Sequence, residues 1–86
     1  MKVMIPTPLR SYTGGRDEVT VDGATLSEVL DDLNRRYPGI SFRMVNEQGR
    51  LREHIRIFVN REESSDLAAA LQPDDEVFIL CALGGG

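Results

Sequence analysis

An α+β fold, with a mixed sheet of four to five strands and one main helix packed on one face, is what this 86-residue sequence predicts. Three observations lead there. A capped amphipathic segment spans about residues 25–37. Two short segments with alternating apolar residues precede it. A clean alternating strand and a final apolar strand follow it. The order reads ββαββ(short α)β, the pattern of a sheet covered by a helix rather than of a doubly wound or all-helical domain.

The first strand rests on Val3 and Ile5 at period two and stops at Pro6 and Pro8, which cannot donate to a ladder. "SYTGGRD" reads as a loop. Val19 and Val21 form a second strand that ends in an Asp-Gly turn. Thr25 followed three residues later by Glu28 matches a capping box. Behind it, Leu26, Val29, Leu30, Leu33 and Tyr37 make one apolar stripe, with Ser27, Asp31, Asp32, Arg35 and Arg36 off it. Acid early and arginine late suit the helix dipole, and Pro38-Gly39 ends the helix. "ISFRMV" reads as a short strand or irregular segment and "NEQGR" as a turn. In "HIRIFVN", Ile55, Ile57 and Val59 share one face against Arg56 and Phe58, a half-buried strand. "REE" starts a short fourth strand, "SSDLAAALQP" reads as one or two helical turns, and "DDEVFILCAL" is the last strand.

Eighty-six residues hold one core and no large enclosed active site. The expected division is a domain over residues 1–83 and a flexible glycine tail over 84–86. No apolar run approaches the roughly 20 residues that cross a bilayer, and the first ten residues lack a signal-peptide core. A cytoplasmic protein that binds no membrane is expected. The net charge of −4 disfavours nucleic acid and favours a partner with basic patches. Arg50, Arg52 and Arg56 make a local basic patch without interleaved aromatics, better suited to an acidic protein surface than to nucleic acid.

Cys81 and His54 are the only cysteine and histidine. A disulfide within the chain is excluded, as is a metal site built mainly from those residue types, and a Cys–His catalytic pair has only this one composition. The bland readings are stronger: Cys81 as a small packing residue in the last strand, His54 as a surface residue. No phosphate-cradling motif, dinucleotide fingerprint or nucleophile elbow is present. The acidic clusters at 31–32, 62–63 and 74–76 read as solvated charge.

Both faces of the last strand are apolar: Val77, Ile79 and Cys81 on one, Phe78, Leu80 and Ala82 on the other. A sheet covered on one side should be polar on its open side, so this strand is central, or its open face meets a partner, or both. Phe78, Leu80 and Leu83 are the expected docking patch. Then come Gly84, Gly85 and Gly86. The remaining chemistry is the Gly86 carboxylate, ionised and a poor electrophile until a partner adenylates it. Five extended residues from Ala82 to Gly86 reach ~17 Å, enough to thread a narrow channel into another protein's nucleotide site.

The terminal "VFILCALGGG" resembles the last strand, small-apolar stretch and Gly-Gly of ubiquitin-like sulfur carriers of the ThiS/MoaD family. "IFVN" at 57–60 resembles the strand and turn of that family, and "DGATLSEVLDDL" its turn into the helix. "IPTPLRSYTGG" looks like the longer first loop of the CysO-like branch, which serves cysteine synthesis. The resemblance implies a β-grasp fold and no enzymatic activity. It implies adenylation of Gly86 by an E1-like enzyme that uses ATP in trans, and then a thiocarboxylate, with Gly84 and Gly85 giving access. The sulfur would pass to a synthase: the molybdopterin synthase large subunit, thiazole synthase or a cysteine synthase. Cys81 departs from the family, which often has proline there. Two alternatives stand beside this reading: a ubiquitin-like modifier joined to lysines through Gly86, and an interaction domain with an idle tail.

Overall fold

The computed structural model describes residues 1–82. Five strands, β1 (Lys2–Met4), β2 (Glu18–Thr20), β3 (Ile55–Val59), β4 (Glu62–Glu63) and β5 (Glu76–Cys81), form one sheet in the order β2-β1-β5-β3-β4. The central pair β1/β5 is parallel, and the remaining pairs are antiparallel. Helices α1 (Leu26–Arg36) and α2 (Ile40–Met44) complete the core with Leu9 of a 3-10 helix over Thr7–Thr13. Val3, Val19, Ile55, Ile57, Val77 and Ile79 supply its sheet side.

The capping box forms as the sequence predicts. Thr25 is extended, and its Oγ1 accepts from the Glu28 N–H at 3.2 Å, while Glu28 reaches back to the Ala24 N–H. Leu26, Val29, Leu30 and Leu33 are buried. Two more unpaired donors of the first helical turn find carbonyls in the stretch 67–69: Leu26 N–H donates to Ala69 at 3.1 Å and Ser27 N–H to Leu67 at 2.8 Å. Leu71 N–H returns to the Ala24 carbonyl, and Thr25 bridges Ala70 antiparallel. This stretch was expected to be helical and is not. Its alanines favour helix, but its backbone is committed to finishing the helix start of α1.

Three other expectations fail for physical reasons. Residues 7–13 form a 3-10 helix rather than a loop, entered through Pro8 in its first turn and closed by Gly14 at φ 66°. Residues 40–44 are helical rather than a short strand or irregular segment. Ile40 and Met44, four apart, are both buried, whereas Phe42 between them points outward, which is the spacing of one helical turn. Asp32 is only 6 % exposed, although its position looked solvated.

Asp32 ties β2 to α1. Its carboxylate accepts from the Asp22 N–H at 2.9 Å and from Arg36 Nε at 2.8 Å, and it also pairs with Arg35. The Asp22 amide, then the Arg36 and Arg35 guanidiniums, hold its pKa down at about 2, from an ordinary 3.8, against the opposing effect of burial. Because the folded value lies below the unfolded one, this contribution is complete above about pH 4 and vanishes as pH falls through about 2. In acid titrations followed by circular dichroism, the parent chain loses stability across that window. Asp32→Asn starts less stable and lacks this component of the acid sensitivity. An unchanged acid profile in Asp32→Asn refutes the assignment.

Gly23, in the turn after β2, lies close against the first turn of α1. A Cβ there would lie 2.6 Å from the Val29 backbone nitrogen and 2.9 Å from the Glu28 carbonyl carbon. Backbone cannot swing aside as a side chain can, so Gly23→Ala is expected to destabilise by about 2–3 kcal/mol. In a domain of this size that lowers Tm by roughly 10–20 °C. Thermal unfolding checks it, and a wild-type Tm would show that the helix shifts freely.

Candidate functional site

The open face of the sheet is built by strand parity. Val77 and Ile79 of β5 turn inward and are buried, so Phe78 and Leu80 turn out. Register sets Phe78 between Met4 of β1 and Phe58 of β3, and it sets Leu80 opposite Arg56. The result is an apolar row across the three middle strands. Leu80 is 48 % exposed, one of two large apolar side chains that stand out among the described residues. Beside it runs a shallow groove walled by Pro6, Pro8, Phe58 and Leu80, with Arg10 and Arg56. Arg56 is bridged to Glu63 at 2.9 Å, and Arg10 Nε donates to the Ile5 carbonyl.

Two of the three expected docking residues, Phe78 and Leu80, therefore share one face, and β5 is central as well as apolar outside. Leu83 lies outside the described residues, as do Gly84, Gly85 and Gly86. Met4, Phe58, Pro6 and Pro8 were not picked out as docking residues from the sequence. The parity of Phe58 opposite Ile57 was the available signal, but its pairing with Phe78 needed the strand register.

The described chain leaves the sheet beside β3: Ala82 N–H donates to the His54 carbonyl at 2.7 Å. That bond ties Ala82 to the residue that leads into β3. Turn geometry at the far end of β5 has the same effect. Asn60, at φ 57°, closes the β3–β4 turn, donates from Nδ2 to Asp75 and accepts the Glu76 N–H at 3.1 Å on Oδ1. Asparagine tolerates the left-handed region and supplies both a donor and an acceptor, which accounts physically for the "VN" in "IFVN". The Gln72 amide and Asn60 hold the Asp75 carboxyl below its usual range, so that side of the turn stays charged.

Cys81 is half-buried, and burial pushes its thiol pKa up, which lowers the thiolate fraction at neutral pH. It shares a cleft with the exposed His54, Tyr12 and Arg43, but no hydrogen bond joins the two side chains. The packing reading of Cys81 fits this geometry better than a nucleophilic one. Among the described residues no set of three or more His, Cys, Asp or Glu side chains gathers to hold a metal ion, and no helix is long and apolar enough to cross a membrane. What the described residues offer is an apolar face and a firmly anchored exit point beside it.

Comparison with known proteins fits that description. A family model described as "ThiS family" matches residues 3–86. The sulfur carrier protein CysO of Mycobacterium tuberculosis is 43% identical over 89 residues, covering 98% of this chain and 96% of that protein. In the crystal structure of the BexX/CysO complex of Amycolatopsis orientalis, a chain superposes with a TM-score of 0.90 at 41% identity, covering 99% of this chain and 98% of its own length. SAMP1 of Haloferax volcanii superposes at 0.80 with 31% identity, covering 100% and 98%. The fold is the ubiquitin-like β-grasp expected from the sequence, and the chain belongs to the ThiS family.

Proposed function

We propose that this chain is a sulfur carrier whose working group is the Gly86 carboxylate, and that it supplies cysteine biosynthesis. The observation that carries the reading is the family match, which runs through the terminal glycines to residue 86. The 43% identity to CysO favours the cysteine branch over thiazole or molybdopterin synthesis. The chain is a protein substrate here, not an enzyme. An E1-like partner joins the carboxylate oxygen to the α-phosphorus of ATP, releasing pyrophosphate and leaving an acyl adenylate. A hydrosulfide-equivalent donor then attacks the carbonyl carbon, AMP departs, and a thiocarboxylate remains. Gly84 and Gly85 carry no side chain to obstruct a narrow channel around that carbonyl. A cysteine-synthase-type enzyme bonds that sulfur to its carbon acceptor, and water then cleaves the bond that joins the acceptor to the Gly86 carbonyl, which returns the carboxylate. ATP is bound by the partner, since this chain has no phosphate-binding motif.

The structural likeness to SAMP1 favours one second reading, a modifier conjugated to lysines of other proteins. Lys2 is the only lysine in this chain, which limits self-conjugation to one side chain and the N-terminus. Intact-mass analysis of the protein isolated from its native cells separates the readings. A mass increment of sulfur replacing one oxygen, removed by the acceptor enzyme, is expected for the carrier. Lysine-linked adducts without that increment identify the modifier. Neither species would leave an interaction domain.

A further inference from the structure

The second exposed large apolar side chain is unaccounted for by the open sheet face. Phe42, on α2, is 61 % exposed, more so than Leu80. It is also held in place. The Arg52 guanidinium lies 5.2 Å from the ring centroid, and Arg52 Nε donates to the Phe42 carbonyl at 2.9 Å. Arg43 beside it is fixed by its Nε donating to the Tyr12 hydroxyl at 2.7 Å. An exposed ring whose neighbours are already ordered loses little further freedom when it binds.

Charge singles out the same region. Residues 40–56 carry four arginines against two glutamates in a chain of net charge −4, whereas residues 62–82 carry six acids and no lysine or arginine. Arg56 is spent on Glu63, but Arg43, Arg50 and Arg52 form no ion pair among the described residues. The patch also adjoins the exit point. Arg52 N–H donates to the Met44 carbonyl, Ile55 N–H to Arg52, and Ala82 N–H to His54. Arg43 and Tyr12 line the cleft that reaches Cys81 and Ala82.

We propose that Phe42, flanked by Arg43 and Arg52, is a second docking contact that seats in an apolar depression rimmed by carboxylates on the activating enzyme that receives the tail. It rests on the carrier reading and adds a surface that Phe78 and Leu80 do not include. The enzyme then holds the carrier on both sides of the exit point, and the cationic side raises the encounter rate and fixes the orientation of approach.

The test uses the ATP-dependent activating enzyme purified from the same cells, with full-length carrier as the varied substrate. Phe42→Ala and Arg52→Glu each raise the KM for carrier roughly tenfold and leave kcat unchanged. Arg52→Glu also flattens the salt dependence of KM. Arg61→Glu, an equal charge reversal on the β3–β4 turn, leaves KM as in the parent. Melting curves of all three confirm folding. The proposal is overturned if Phe42→Ala and Arg52→Glu keep the parent KM, or if Arg61→Glu matches Arg52→Glu so that only net charge matters. A parent chain that supports no ATP-dependent turnover has a different signature: it refutes the carrier reading, and this contact with it.

Discussion

Replacing the last residue, Gly86→Leu, abolishes ATP-dependent charging while leaving the fold intact. An isobutyl group beside the reacting carbonyl crowds the attack of the carboxylate on phosphorus and the later attack of sulfur on the adenylate. It must also fit a channel shaped for a chain without side chains. A displacement of about 1 Å at a reacting centre costs roughly a hundredfold, and two consecutive steps are affected. Pyrophosphate exchange catalysed by the activating enzyme is therefore expected to fall by at least about a hundredfold, with Gly86→Ala between the two. Mass spectrometry should find no thiocarboxylate on Gly86→Leu. If this variant is charged as readily as the parent, the terminal carbonyl is not the working group.

The second large effect lies on the open sheet face. Leu80→Glu sets a carboxylate beside the apolar row formed by Met4, Phe78 and Phe58, two residues along β5 from Phe78. Because Leu80 is 48 % exposed, the folded chain tolerates the charge. A partner that buries this face must desolvate it. Truncating a central hot spot costs 2 kcal/mol or more, so a buried charge there raises the KM for carrier by about 30–100-fold, with kcat little changed. Thr20→Glu, on edge strand β2, adds the same charge away from the row and serves as the control. Equal behaviour of the two variants would place the interface elsewhere.

Leu80 and Phe78 were legible from the sequence because strand period is rigid: once Val77 and Ile79 are assigned inward, their neighbours must face out. The α1 start was legible because Thr25 and Glu28 act locally. What escaped depended on distant partners. Nothing near Ala68, Ala69 and Ala70 states that the carbonyls around them are needed by the first turn of α1. Nothing near Asp32 states that the Asp22 amide will come to meet it. Ile40, Phe42 and Met44 satisfy a period of two, while Ile40 and Met44 alone satisfy one turn of helix, so five residues could not discriminate. Phe42 consequently went unremarked as a surface residue. The arginines at 50, 52 and 56 stood out as a patch, but their proximity to the exit point required the β3–β5 register.

The seating of β5 between β1 and β3 has a mechanical consequence. β5 is the last strand of the described chain, so a load applied at its C-terminal end would meet the ladders on both of its sides. Ladder bonds run across the strand axis, with three registered residue pairs to β1 and five to β3. Force along the strand shears both ladders at once instead of peeling them open one bond at a time.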